Sequence, residues 1–285
     1  MTLTFNQSRD GRIDLHQTDD SPIASYQFDQ KLPKPCFHPL RTAAGREITG
    51  FQPPDHLWHR GLWFAIKFIN QSNFWEEHPP YGIQKTVGQP RCEMSAPNTL
   101  RIVHDLQWTS QATGPVIDEH RTIGFTVLPN ETRQIDWTTS LQPLQDLLLD
   151  RTPYTTWGGY GGLTFRAPYE VHGAGFLAPS GPPIRTMTGK PHPWAIFHAV
   201  VDGNPSAKIS LGMIDHPDNP RSPSPWYGKT DERYGFMNAA FLFHEPMTVL
   251  KDRTLNFRYR VLYRDGWWEA EEFAKLAETF RNAGR

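Results

Sequence analysis

Asp55, His56, His59 and Arg60 fall within one short stretch, PPDHLWHR at 53–60, opened by two prolines that rigidify it. Two imidazoles three residues apart on a loop can converge on one point, as an acid/base pair or as a metal pair. Arg60 offers a planar fork for a carboxylate or a hydroxyl-rich ligand. The rings of Trp58, Trp63 and Trp75 can cover the apolar face of such a ligand and leave its hydroxyls to the charged groups. The plainer alternative is a solvated loop, because His-x-x-His alone specifies little.

A second polar cluster, DHPDNPR at 215–221, is followed by Pro223, Pro225, Trp226 and Tyr227. The strand expected over Lys208–Ile214 runs straight into it, which places Asp215 and His216 at a strand end, where binding loops lie. Asp215 and Asp218 are carboxylates for acid/base work or for accepting hydroxyls. Asp218 and Asn219 read equally as an Asx-type turn before proline. A third segment, WGGYGGLTFR at 157–166, lacks phosphate-loop spacing, and its glycines fit a bulge, a strand crossing or close approach to a ligand. Glu119 and Arg121 share one strand face and read as an inward structural pair. Cys36 and His38 also share a face, but no thiolate-stabilising feature accompanies them. His172, His192, His198 and His244 are scattered singly and are expected to be packing or surface residues.

The elements that must carry these loops show a period of two. Leu255, Phe257, Tyr259, Val261 and Tyr263 alternate with mainly polar residues, and Thr99–Trp108 and Ile135–Leu141 repeat the pattern, with His104 on the apolar face. Further strands are expected over Ile23–Phe28, Leu62–Phe68, Gly124–Leu128, Ala195–Val201 and Ala239–Phe243. The 26 prolines among 285 residues exclude an all-α fold. Only 267–282 has helical spacing, with Phe273, Leu276, Ala277 and Phe280 on one face. Asp265 is the expected N-cap and Gly284 the expected terminator. The fold class is therefore all-β, an antiparallel β-sandwich with a C-terminal helix, in a single domain over 1–285.

Twenty-nine basic against 30 acidic residues give a net charge of −1, which argues against nucleic-acid and anionic-membrane partners. Two cysteines make neither a disulfide framework nor a metal clip. The N-terminus lacks a signal-peptide pattern, and no apolar run suits a membrane span, so a cytoplasmic protein is expected.

FHPLRT (37–42), PPDHLWHRGLW (53–63) and DHPDNPR (215–221) together resemble the bacterial family of unknown function DUF6807. A methane-oxygenase-like label attached to that family does not suit a chain with no span-length apolar run. The resemblance implies a supersandwich similar to galactose mutarotase and to carbohydrate-active proteins. Its matching positions here are His38, Arg41 and Thr42; Asp55, His56, His59, Arg60 and Trp63; and Asp215, His216, Asn219 and Arg221. This chain has Tyr227 after Trp226, where the resemblance leads one to expect histidine.

The leading expectation is an enzyme that cleaves or isomerises a glycoside or an oxidised (keto) sugar, as a hydrolase or lyase. His56 and His59 exchange protons, and Asp55 or Asp215, with His216, supplies the partner groups. His38, Arg41, Arg60, Asn219 and Arg221 bind the substrate, and Trp58, Trp63 and Trp226 contact its ring face. A variant uses His38, His56, His59 and one aspartate as a divalent-metal site. The rival expectations are a non-catalytic sugar-binding protein and an accessory subunit for a sugar dehydrogenase. The expected partner is a small carbohydrate, with a homo-oligomer or a dehydrogenase as the protein partner.

Overall fold

A computed structural model describes residues 2–17, 22–152 and 159–283. Two nine-stranded antiparallel sheets face each other, with a four-stranded sheet beside them. In spatial order the first sheet contains Thr4–Ser8, Arg12–His16, Ala24–Gln27, Cys36–Leu40, Leu62–Ile66, Gly161–Arg166, Tyr234–Ala239, Pro225–Asp231 and Thr186–Pro191. The second runs His172–Leu177, Trp194–Val200, Lys208–Asp215, Leu255–Asp265, Arg133–Pro143, Gly114–Val127, Thr99–Ser110 and Gly82–Thr86, with Arg91–Ala96 also pairing Thr99–Ser110. The small sheet joins Met247–Val249, Leu147–Asp150, Phe68–Ile69 and Ser72–Asn73.

Alternation along each strand builds the layers. Leu62, Phe64 and Ile66 join Leu163, Phe165, Met237, Ala239 and Trp226 in the main core between the sheets. From the second sheet Phe125, Ile135, Trp137, Phe257, Tyr259, Val261 and Tyr263 meet them. The intervening residues Trp63, Ala65, Phe236 and Tyr227 point to the other side of the first sheet, where they form a separate aromatic cluster with Cys36, Trp75, Tyr160 and Tyr234. That outer face carries the candidate site.

On the outer face of the second sheet Trp194, Ile196, Ile214 and Leu262 bury one side of the helix Ala270–Asn282 through Phe273, Ala277 and Phe280. The helix begins later than its sequence suggests. Glu269 occupies the N-cap position and makes no side-chain cap bond. Asp265 instead ends a strand, where its carboxylate accepts from Thr42 Oγ1, Ala44 N and Arg46 and ties the 41–46 turn to the second sheet. Gly284 lies outside the described residues. The strand expected over Ala239–Phe243 is displaced to Tyr234–Ala239, and a turn closed by Phe243 N–H to Ala240 O replaces its second half.

The inward Glu119–Arg121 pair is present and fully buried. Arg121 donates to Glu119, Gln84 and Tyr26, and Glu119 also accepts from Trp108 Nε1 and Thr139. Because Arg121 donates to the Tyr26 oxygen, the Tyr26 proton goes to His104 Nδ1 at 2.9 Å. His104 Nε2–H then donates to Thr86 at 3.1 Å, so a neutral imidazole satisfies the whole chain.

Of the Trp157–Arg166 segment, positions 157 and 158 lie outside the described residues. Gly162 (φ +113°) lies against the neighbouring strand, and a Cβ there would stand 2.2 Å from Ala239 O. The glycine serves a close strand crossing. Among the described residues no helix is long and apolar enough to cross a membrane.

Candidate functional site

A cavity of about 550 Å³ opens over the aromatic cluster, lined by Asp55, His56, Trp58, His59, Lys67, Asn73, Trp75, Glu76, His78 and Tyr160. Its volume suits a small-molecule site. Two grooves near Arg9, Asp29 and Lys85 lack a comparable set of enclosed aromatic and titratable groups.

The 52–60 loop is shaped by its own sequence. Pro53 and Pro54 start a turn closed by His56 N–H to Pro53 O, and a second follows, closed by His59 N–H to His56 O. Gln52 N–H donates to His59 O and shuts the loop. Consequently the two imidazoles stack, with centroids 4.5 Å apart and planes at 17°. His59 lies deeper, 2% exposed, against Phe236 at 5.1 Å and Trp63 at 5.3 Å. Burial and then the neighbouring His56, Arg166, Lys34 and Arg60 hold its pKa well below the usual histidine range. It is a neutral ring, and among the described residues its Nδ1 has no hydrogen-bond partner.

His56 Nδ1 bonds Asp55 Oδ2 at 2.9 Å. Asp55 is held in turn by Arg166 Nη2, 2.9 and 2.8 Å from its two oxygens. Arg166 ends the strand Gly161–Arg166 on the outward side and sits 4.0 Å over the Tyr234 ring. The result is an Arg–Asp–His relay that fixes one imidazole nitrogen and leaves Nε2 for a ligand.

Lys67 and Glu76 form another wall. Lys67 follows the strand Leu62–Ile66 and bonds both oxygens of Glu76. Asn73 organises the turn, accepting from the backbone N–H of Trp75 and Glu76 and donating to Glu76 Oε2 at 2.8 Å. Burial alone raises the Glu76 pKa, but Lys67 and Asn73 outweigh it and hold the carboxyl below its ordinary value. Burial lowers Lys67, against Glu76. Tyr160 stacks on Trp75 at 4.9 Å and 10°, and Trp58 borders the opening, edge-on to His78 at 5.6 Å.

Other expected residues stand behind or away from this cavity. Arg60 is 2% exposed, bonded to Glu77 and set 5.1 Å over Phe51. Lys34 reaches the same Glu77 and Trp75 O. Trp63 is completely buried beneath Trp75 and cannot offer a ring face. His38 stacks on Phe51 and bonds Thr49 at 3.0 Å. Arg41 is occupied by Pro22 O and Glu47. Trp226 is completely buried in the core between the sheets, donating to His192 O, whereas its neighbour Tyr227 reaches the aromatic cluster.

The 215–221 stretch does not join the 55–60 loop. Asp215 is completely buried and accepts from Asn219 Nδ2 (2.7 Å), Ser224 N (2.9 Å) and Ser224 Oγ (3.0 Å). Asn219 also bonds both backbone groups of Arg258. Arg221 caps the carbonyls of Phe241, Glu245 and Pro246. His216 accepts from Asp218 N–H and packs edge-on to Phe280 of the helix, on the far side of the sandwich from the cavity. This motif is a latch between a strand end, the last strand and the helix. Asp215→Ala is expected to cost about 2 kcal/mol by stranding three buried donors, measured by urea unfolding, with ligand binding by the folded protein unchanged. A variant as stable as the wild type contradicts that role.

The residues do not fit the four-ligand metal site. Among the described residues no group of three or more His, Cys, Asp or Glu is placed to hold an ion. His38 bonds Thr49 on the far side of Phe51, and face-to-face stacking of His56 and His59 turns their nitrogens away from one point.

Lys67, Asn73, Glu76, His78, Tyr160 and Arg166 were not singled out as site residues by sequence reasoning. A lysine and an arginine ending apolar strands, and the dense N-F-W-E-E-H run at 73–78, are the signals that mark them.

Fold and cavity together define a β-sandwich protein with an aromatic-floored pocket on one outer face. The chain belongs to the family of unknown function DUF6807, whose model matches residues 14–278. No curated protein matches the sequence. Among solved structures it is similar to a heparan sulfate lyase HepC mutant from Pedobacter heparinus (TM-score 0.43, 10% identity, 90% of this chain and 34% of that one). It is also similar to a GalM/aldose epimerase homologue from C. elegans (TM-score 0.40, 10% identity, 94% and 100% covered). A putative aldose 1-epimerase from Escherichia coli K12 gives TM-score 0.40 and 10% identity, with 93% and 100% covered. The chain thus spans about a third of the lyase's length.

Proposed function

We propose that this protein is a carbohydrate-active enzyme that cleaves or isomerises a glycoside or keto sugar by acid–base chemistry, with His56 as the proton-transfer group. The observation that carries the reading is the Arg166–Asp55–His56 relay lining a cavity with the Trp75–Tyr160 stack. Aromatic surface suits the apolar face of a sugar, and the polar walls suit its hydroxyls.

Asp55 holds the Nδ1–H tautomer, so Nε2 accepts a proton, from carbon beside a carbonyl or from an attacking water. Once protonated, the same nitrogen returns that proton to the leaving glycosidic oxygen or to the neighbouring carbon. Asp55 stabilises the imidazolium formed between the two transfers, and Arg166 keeps Asp55 in place. His59, neutral and buried, supports the His56 ring from below and is a positioning residue. Glu76, kept ionised by Lys67, supplies the second carboxylate that Asp215 was expected to supply.

A panel of glycosides and 3-keto-glycosides, assayed with the wild type and Asp55→Asn, tests this. The amide keeps the shape but loses the charge that favours the imidazolium, so turnover is expected to fall about 10–100-fold with little change in KM. Equal turnover by both proteins on every converted substrate removes the relay from the mechanism.

A further inference from the structure

Charge around the cavity does not balance. Among the described residues four cations, Lys34, Arg60, Lys67 and Arg166, meet three carboxylates, Asp55, Glu76 and Glu77. Lys67 pairs with Glu76 and Arg166 with Asp55, while Lys34 and Arg60 share Glu77. One positive charge is left over before His56 takes any proton.

The donors are unbalanced too. Arg60 and Arg166 are 2% and 0% exposed, yet among the described residues Nε and Nη1 of both lack a hydrogen-bond partner of good geometry. The Phe51 and Tyr234 rings accommodate their charge but accept no directed bond of ordinary strength. Both guanidinium groups stand behind the residues that line the cavity, so an anion in it meets their charge across the wall rather than their N–H groups. The surplus lies with Lys34 and Arg60, which share Glu77 behind the cavity wall, where Lys34 also bonds Trp75 O. A low-dielectric recess with surplus positive charge concentrates anionic ligands.

We infer that the cavity takes an acidic sugar, a uronate or a glycoside of one, whose carboxylate offsets the unpaired charge of the Lys34–Arg60 pair behind its wall. This rests on the reading of the site as a carbohydrate site. The carboxylates of Asp55 and Glu76 do not oppose it, since each is neutralised by its own cation.

Calorimetry on the full chain with glucuronate, galacturonate, glucose, galactose and acetate separates the two ideas. The uronates are expected to bind at least about tenfold more tightly than the matching neutral sugars. That preference is expected to shrink as salt is raised and to be lost in Arg60→Gln or Lys34→Met. Neutral sugars binding equally well, or a preference indifferent to salt, overturns the acidic-sugar inference and leaves the carbohydrate reading standing. Should Arg60→Gln fail to fold, the salt dependence of the wild type decides alone. Acetate binding without any sugar binding overturns the carbohydrate reading while the anion site remains, and binding of none overturns both.

Discussion

In His56→Ala, turnover of any sugar the wild type converts is expected to fall about 10²–10⁴-fold, the usual contribution of a positioned acid/base group. His56 is 29% exposed and its ring bonds no backbone, so its removal costs stacking on His59 but little of the core. The loss therefore belongs in kcat, with the melting transition close to that of the wild type. His59→Ala separates the roles of the two rings. That ring is buried among Phe236, Trp63 and His56, and its loss opens a void under the relay. Its effect is expected first on stability, and on turnover only through a displaced His56. Steady-state kinetics beside thermal melts distinguish the two. A fully active His56→Ala protein sinks the proposed mechanism.

The second large effect concerns acid. Burial pushes His104 down to about 3, with Arg121 adding to it, and pushes His38 and His198 down to about 4, helped by Arg41 and Arg264. Unfolded histidines take up protons near 6.5, whereas these three stay neutral in the folded chain. Below that pH the unfolded state binds more protons, so stability falls as pH falls, by about 1.4 kcal/mol per unit for each group. Between pH 7 and 5 the three together amount to about 5 kcal/mol, comparable to the whole stability of many domains. Urea unfolding at pH 7, 6 and 5 measures this. Because protonating His104 breaks its acceptance from Tyr26, His104→Gln is expected to remove about one proton from the slope. A midpoint unchanged across that range contradicts the assignment of neutral buried imidazoles.

Fold class was legible because strand alternation is a local property. Leu255–Tyr263 and Thr99–Trp108 declare their buried faces without reference to partners, as does the helix through Phe273, Ala277 and Phe280. The inward Glu119–Arg121 pair followed from the same parity. Four of the ten residues lining the cavity were legible for a similar reason: Asp55, His56, Trp58 and His59 lie in one loop whose prolines and polar residues stand together. Which distant segment completes the cavity depends on sheet order, which alternation does not encode. Lys67, Glu76, Tyr160 and Arg166 arrive through the pairing of Leu62–Ile66 with Gly161–Arg166 and the turn around Asn73. The DHPDNPR run carries the same residue types as a site, yet its side chains are spent on one another and on backbone carbonyls. Composition alone cannot separate a latch from a pocket.

Alternate residues of Leu62–Ile66, Gly161–Arg166 and Tyr234–Ala239 serve two masters, the interior of the sandwich and the outer aromatic recess. Substituting a recess-facing position leaves its interior neighbours untouched, so the chemistry of the recess can change without endangering the fold. Losing or gaining one residue within these strands exchanges the two sets, sending Trp63 and Arg166 inward and leucines outward. Diversification of this scaffold is therefore expected to proceed by replacement in its central strands, with changes of length confined to the connecting loops.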